Sequence, residues 1–155
     1  SYEADPLFIQ AHVDLIVPLY QQAQAYGSPR ILFSAHSLPQ KVIDAGDPYQ
    51  YQTEPTVKEI VKLLEAKVEG KVDHRLCYQS RVGPIQWLTP TTEECIDQAG
   101  TDHVPLIIVP VSFVSEHSET LVELDYDYQQ QAKEKGVPFY GRVPTLSCYP
   151  LFIES

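Results

Sequence analysis

From Leu106 to Val109 the chain is apolar without interruption, and the run continues through Val111, Phe113 and Val114. It then turns abruptly into His117, Glu119, Glu123 and Asp127. A continuous apolar run of this kind reads as a strand buried on both faces. The polar residues after it mark the point where that strand delivers the chain to a helix. Whatever fold the chain adopts must bury residues 105–113 and present an acidic, imidazole-bearing segment at one end of them.

The flanking segments fit around such a strand. Asp5-Pro6 is a helix start, with a side-chain cap before proline at the first helical position. Leu7, Phe8, Ala11, Leu15, Ile16 and Leu19 recur at helical spacing as far as Gly27, and Pro18 is expected to kink or interrupt that helix. Arg30 to His36 reads as a short strand, and the Asp44–Pro48 segment as a turn-rich loop. Val57, Ile60, Val61, Leu64 and Val68 predict a helix from about 52 to 68, with Pro55 early in it. Residues 73–80 read as a strand, and 81–90 as a loop holding the single tryptophan, Trp87. A short helix from Thr92 ends at Gly100, a longer one spans about 118–135 and closes at Gly136, and a last strand covers 138–143. Strands alternating with helices predict a three-layer α/β/α sandwich, Rossmann-like, around a parallel sheet of about four strands. In such sheets ligands bind beyond the carboxyl ends of the strands. Those ends carry His36, Ser80-Arg81 and Glu116–Glu119, so three strands aim polar groups at one edge.

Composition narrows the function. With 155 residues the chain has room for one domain with its own core, and 43% apolar with 21% charged residues suits a globular protein. The formal net charge of −10 and the absence of a basic stripe exclude nucleic acid as a partner. No apolar run approaches the roughly 18 residues that span a bilayer. Cysteines stand at 77, 95 and 148 without a C-x-x-C pair, which argues against a disulfide framework or a structural zinc site. Cys77, in a strand, is expected to pack as a small hydrophobe. The chain has no methionine and begins at Ser1, and its tail Tyr-Pro-Leu-Phe-Ile-Glu (149–154) echoes its head Asp-Pro-Leu-Phe-Ile-Gln (5–10), which opens a long helix. The expectation is a piece of a longer polypeptide, cut at 155 at the start of its final helix.

Glu119, Glu123 and Asp127 recur every four residues and share one helix face, drifting about 40° per step. Like charges at that spacing repel by roughly 0.2–0.5 kcal/mol per pair. A solvated acidic face accounts for them; so does a carboxylate ladder that holds or conducts a cation. His36 is either a loop histidine or a base and metal ligand, since imidazole titrates near neutrality and binds borderline metals. His117, beside Glu119, can serve the same site. His12, His74 and His103 are assigned to structure, away from the converging strand ends. Arg81 with Ser80 can bind a substrate carboxylate through its fork of donors, or lie on the surface. Trp87 can stack on a flat ligand or fill core space.

Several motifs together resemble a known family. Ser-Ala-His-Ser-Leu-Pro (34–39), Gly-Asp-Pro-Tyr (46–49), Tyr-Gln-Ser-Arg-Val-Gly-Pro (78–84), Trp-Leu-x-Pro (87–90) and Phe-Val-Ser-Glu-His-Ser-Glu-Thr-Leu-x-Glu-Leu-Asp (113–125) are similar to ferrochelatase, over its C-terminal half only. The resemblance implies a chelatase-like domain over 1–155 and insertion of Fe(II) into protoporphyrin IX to give protohaem. It implies His36 as catalytic histidine and Glu119 as essential glutamate, both candidate metal ligands, and His117, Glu123 and Asp127 as metal or proton relay. Ser80, Arg81 and Trp87 are the candidate porphyrin contacts. It implies the enzyme's N-terminal half as partner, with any membrane contact made through that half, and a bacterial-type cytoplasmic setting, peripheral to the inner membrane at most. Cys148 stands without clustered cysteines after it, so no iron–sulfur cluster is expected in this chain, and no cofactor beyond substrate Fe(II). Two other readings remain: a different tetrapyrrole metal chelatase, and a metal- or porphyrin-binding module without turnover.

Overall fold

A computed structural model describes residues 6–35, 49–79, 90–112, 118–144 and 146–147; for 49–53, 112, 118–125 and 146–147 it describes the backbone. The elements run α1 (Pro6–Ala23), β1 (Arg30–Ala35), α2 (Tyr49–Val68), β2 (Asp73–Tyr78), α3 (Thr92–Asp102), β3 (Leu106–Ser112), α4 (Ser118–Lys135), β4 (Tyr140–Arg142) and β5 (Leu146–Ser147). The strands form one sheet in the order β2-β1-β3-β4, with β5 also paired to β3. Every pairing is parallel. This is the α/β architecture that the alternation of elements predicts.

Each strand residue takes a side. Ile31, Phe33, Ile107, Val109 and Val111 face α1 and α2, where Ile9, Val13, Ile16, Val57, Ile60 and Leu64 cover them. Leu32, Leu106, Ile108 and Cys77 face α3 and α4, under Cys95, Ile96, Ala99, Tyr128 and Ala132. Two apolar layers on one sheet explain why β1 and β3 read as continuous apolar runs: helices cover both of their faces. Full burial of each Ile, Leu or Phe contributes about 1.5–3 kcal/mol. At the amino edge of the sheet, Arg30 is buried and its guanidinium donates to Asp73 (Nε–Oδ2 2.8 Å) and Asp102 (Nη1–Oδ2 2.8 Å). One side chain thus ties β1 to the start of β2 and the end of α3.

Four features differ from expectation. α1 continues unbroken through Pro18. Pro18 is exposed, as is Asp14 four residues earlier, so water can take the carbonyl that the missing N–H releases. Gly100 does not end α3; the helix runs on to Asp102, and His103 closes it in the left-handed conformation (φ 54°). Gly100 is instead a packing glycine, because a Cβ there would stand 2.5 Å from the Lys135 carbonyl oxygen of α4. The last expected strand, 138–143, is shortened to β4, and a further two-residue strand, β5, follows it on β3. From Ile108 to Val111 of β3 there are three steps, whereas the paired residues Arg142 and Leu146 lie four apart. The ladder thus takes up one extra residue between Arg142 and Leu146. The helix expected from 52 begins earlier, at Tyr49, and holds Pro55 inside it, exposed. Gly136, at φ +91°, does close α4 as expected.

Candidate functional site at the carboxyl edge of the sheet

The strand pairing fixes where the site can be. Ala35, the last residue of β1, pairs with Tyr78, the last of β2, and with Val111, next to the last of β3. The chain therefore leaves three adjacent strands at one edge and one level, toward His36, toward Ser80-Arg81 and toward 113–117. The backbone holds that edge together: Gln79 N–H donates to the Ala35 carbonyl (2.9 Å) and Tyr78 N–H to the Pro90 carbonyl (3.0 Å). β1 leads to α2 on one face of the sheet, whereas β3 leads to α4 on the other. Connections that part in this way open a crevice between the two strand ends, where open α/β sheets bind ligands.

The floor of this edge is polar and tightly bonded. Ser34, two residues before His36, lies 2.8 Å from the Thr92 hydroxyl, and both are buried. Thr92 Oγ1 donates to Cys77 Sγ (3.4 Å), and the Cys77 thiol donates to the Phe33 carbonyl (3.6 Å). Thr92 opens α3, whose amino end carries a capping box: Thr91 Oγ1 accepts from Glu94 N–H, and a Glu94 carboxylate oxygen accepts from Thr91 N–H. Tyr128 of α4 closes the floor from the other side; burial pushes its phenol well up, and the Glu93 charge adds to the shift. Ser34, Cys77, Thr92 and Tyr128 are thus neutral groups at neutral pH. They position the ends of β1 and β2 and the first turn of α3 but supply no charge of their own.

Asp127 is the one expected site residue whose side chain is described, and it is exposed on α4. Glu119 and Glu123 belong to the same unbroken helix, which runs from Ser118 to Lys135. Eight residues of helix separate Glu119 from Asp127 by about 12 Å. The helix thus carries the three positions from the sheet edge outward, Asp127 being farthest from the edge. His36, His117, Ser80, Arg81 and Trp87 lie outside the described residues, as does Cys148. Among the described residues no three His, Cys, Asp or Glu side chains gather as a metal site.

One residue stands differently from its sequence assignment, and a second was given none. His12 does not lie far from the strand ends. It is fully buried in α1, its Nδ1 is 3.0 Å from the Phe8 carbonyl, and the Pro110 carbonyl of β3 also acts on its ring. Pro110 pairs with Ser34, so His12 underlies the same level of the sheet as the polar floor, on the opposite face. Nε2 makes no hydrogen bond, and burial lowers the imidazole pKa. The helix period puts position 12 on the apolar face with Phe8, Ile9 and Ile16, which is the signal that identifies it as buried. The other is Cys95: buried at 8% exposure, it hydrogen-bonds to Cys77, a contact that a spacing of eighteen residues in sequence does not announce. His74 does keep a structural place, with Nδ1 3.2 Å from the Val72 carbonyl.

Fold and edge together define a Rossmann-like α/β domain whose ligand crevice lies at the carboxyl ends of β1 and β3. The chain belongs to the ferrochelatase family, whose model matches residues 1–155. Among curated relatives, the protein named ferrochelatase from Wolbachia sp. subsp. Brugia malayi (strain TRS) is 52% identical over 147 residues, covering 95% of this chain and 42% of that protein. The ferrochelatase of Wolbachia pipientis wMel is 50% identical, with coverage of 95% and 45%. That of Rickettsia bellii (strain OSU 85-389) is 49% identical over 154 residues, with coverage of 99% and 41%. The chain thus spans less than half the length of the curated relatives it matches. Among the described residues no helix is long and apolar enough to cross a membrane.

Proposed function

We propose that this chain forms one wall of a cleft in which Fe(II) is inserted into protoporphyrin IX, yielding protohaem and two protons. The observation that carries this reading is the register of β1, β2 and β3. It brings the starts of the 36–48, 80–89 and 113–117 segments to a single sheet edge, in a chain of the ferrochelatase family. His36, leaving β1 at the crevice, is the proton acceptor and first metal ligand. A neutral imidazole can take a pyrrole proton as the metal approaches the ring. Glu119, in the first turn of α4, is metal ligand or relay; His117, Glu123 and Asp127 extend that route. Their carboxylates exchange water for the cation and carry protons away. Ser80, Arg81 and Trp87 hold the porphyrin by its propionates and its flat face. A second half, corresponding to the N-terminal part of the relatives, closes the cleft and makes any membrane contact. The catalysis draws on no iron–sulfur cluster in this chain, and the setting is the bacterial cytoplasm.

The test is porphyrin metallation followed by absorbance, with this chain alone and joined to the remainder of a ferrochelatase polypeptide. The joined protein is expected to turn over, and His36→Ala or Glu119→Gln to abolish turnover. Unchanged turnover in both variants overturns the site assignment. Because the chain covers less than half of its relatives, a second reading applies to the chain by itself: it binds porphyrin or metal without turnover. Binding seen by fluorescence quenching, with no metallation until the remainder is added, is the result that reading expects.

A further inference from the structure

Cys77 and Cys95 are both reduced and buried, on β2 and α3, and their thiols hydrogen-bond to each other. Cys77 is fully enclosed, with Thr92 Oγ1 and the Phe33 carbonyl against its sulfur. Cys95 is the one that can be reached. It lines a surface cavity of about 310 Å³ with Arg30, Arg75, Pro90, Glu94 and Gln98. A cavity of this size, at the lower end of small-ligand sites, admits a low-molecular-weight thiol or disulfide. One thiol that lines a cavity, backed by a second that is enclosed and bonded to the first, is the arrangement of an attacking and a resolving cysteine.

We propose that Cys77 and Cys95 form a redox-active dithiol that small-molecule disulfides oxidise through Cys95. Cys95 Sγ, as thiolate, attacks one sulfur of the disulfide RSSR. A Cys95–SR bond forms, the S–S bond breaks, and RS⁻ leaves and takes up the proton that Cys95 released. Cys77 Sγ then attacks Cys95 Sγ, expels the second RS⁻ and passes its own proton to it. The two protein thiols lose two electrons and two protons; RSSR becomes two RSH. The surroundings divide the roles in the same sense: the Cys77 hydrogen bond, then Arg75 and Arg30, lower the Cys95 pKa, whereas burial raises that of Cys77. A thiolate is the attacking species in such exchange, so the partner that lines the cavity is also the activated one. A disulfide of this kind, in a compartment that keeps thiols reduced, is transient and responds to redox poise. The cross-link closes the chain from 77 to 95 into a loop that holds Ser80, Arg81 and Trp87. It is independent of the proposed chelation chemistry.

The experiment treats the folded chain, carrying Cys148→Ser so that only two thiols remain, with oxidised glutathione. Intact mass is then measured, followed by a non-reducing peptide map. The expected product lacks two hydrogens, yields one cross-linked peptide pair joining Cys77 to Cys95, and reverts with dithiothreitol. Cys77→Ala is expected to stop at one glutathione on Cys95, and Cys95→Ala to leave Cys77 unmodified; circular dichroism verifies that both remain folded. The cross-link map of the parent needs neither variant. A folded chain whose two thiols both stay reduced while those of the unfolded chain react, or one that holds glutathione on Cys95 without closing to Cys77, overturns the proposal.

Discussion

His12 shows how a single buried side chain sets a response of the whole protein. Its ring is 0% exposed and packs edge-on against Phe8, with centroids 4.4 Å apart. Burial lowers its pKa more than the Phe8 and Pro110 carbonyls raise it. In the unfolded chain the imidazole titrates near its ordinary value, about 6.5. Below that pH the unfolded state binds a proton that the folded state refuses, so stability falls as pH drops from about 6.5 toward the lowered native value. Above about 6.5 both states are neutral and the effect is absent. One such group tilts stability by at most about 1.4 kcal/mol per pH unit. His12→Phe keeps an aromatic ring and removes the unpartnered Nε2. It is expected to flatten the urea midpoint between about pH 7 and pH 5 and to cost little or nothing at neutral pH. Equal slopes in parent and variant would sink this account.

Between elements, the closest approach is that of α3 to α4 at Gly100. An added Cβ would meet the Lys135 carbonyl oxygen at 2.5 Å and its Cβ at 2.6 Å, with backbone on one side and little room to yield. Gly100→Ala should therefore destabilise by about 1–3 kcal/mol despite the better helix propensity of alanine. A thermal melt several degrees lower is the expected result; an unchanged or higher midpoint would show that the helices simply part. Gly100 also shows what a sequence can and cannot tell. A glycine after a helical run reads as a stop, and here Gly136 is one, but Gly100 serves a neighbour 35 positions away. The apolar runs at 31–33 and 106–109 were legible because burial on both faces leaves only one residue class at those positions. The extra residue between Arg142 and Leu146 and the Cys77–Cys95 contact were not, because register and tertiary contact are not written in local pattern. Of the candidate site, the edge and its order were legible in the alternation of strands and helices; the site side chains, Asp127 included, are assignments from motif. The Arg30 staple was missed for the same reason as Gly100. Burial raises the Asp73 pKa, but hydrogen bonds from Arg30 and Arg75 outweigh that and hold it below the ordinary value. Its contribution is thus complete above the unfolded pKa of about 3.9 and is lost as pH falls through the lowered value. Asp73→Asn should lower stability at neutral pH and flatten the acid limb of a stability–pH curve below about pH 4; an acid limb identical to the parent's would remove Asp73 from that role.

At the scale of the whole molecule, the acidic helix and the sheet edge can be tested as one device. If α4 carries a cation route inward, its three acidic positions are not equivalent. Glu119 lies in the first turn, beside the crevice, whereas Asp127 is exposed about two turns farther out. An exposed carboxylate acts on an approaching cation through a screened field, which weakens beyond about 10 Å at 0.1 M salt. A residue at the reacting centre acts on the proton transfer itself, which is worth roughly 10²–10⁴ in rate. In this chain joined to the remainder of a ferrochelatase polypeptide, Glu119→Gln should therefore lower kcat for Fe(II) insertion by about 100-fold or more. Glu123→Gln should fall between, and Asp127→Asn should change the KM for Fe(II) by a few-fold at low ionic strength, with the difference fading as salt is added. A solvated acidic face predicts something else: three small, similar, salt-sensitive effects. An Asp127→Asn defect as deep as that of Glu119→Gln would contradict the inward gradient and return the ladder to an ordinary charged surface.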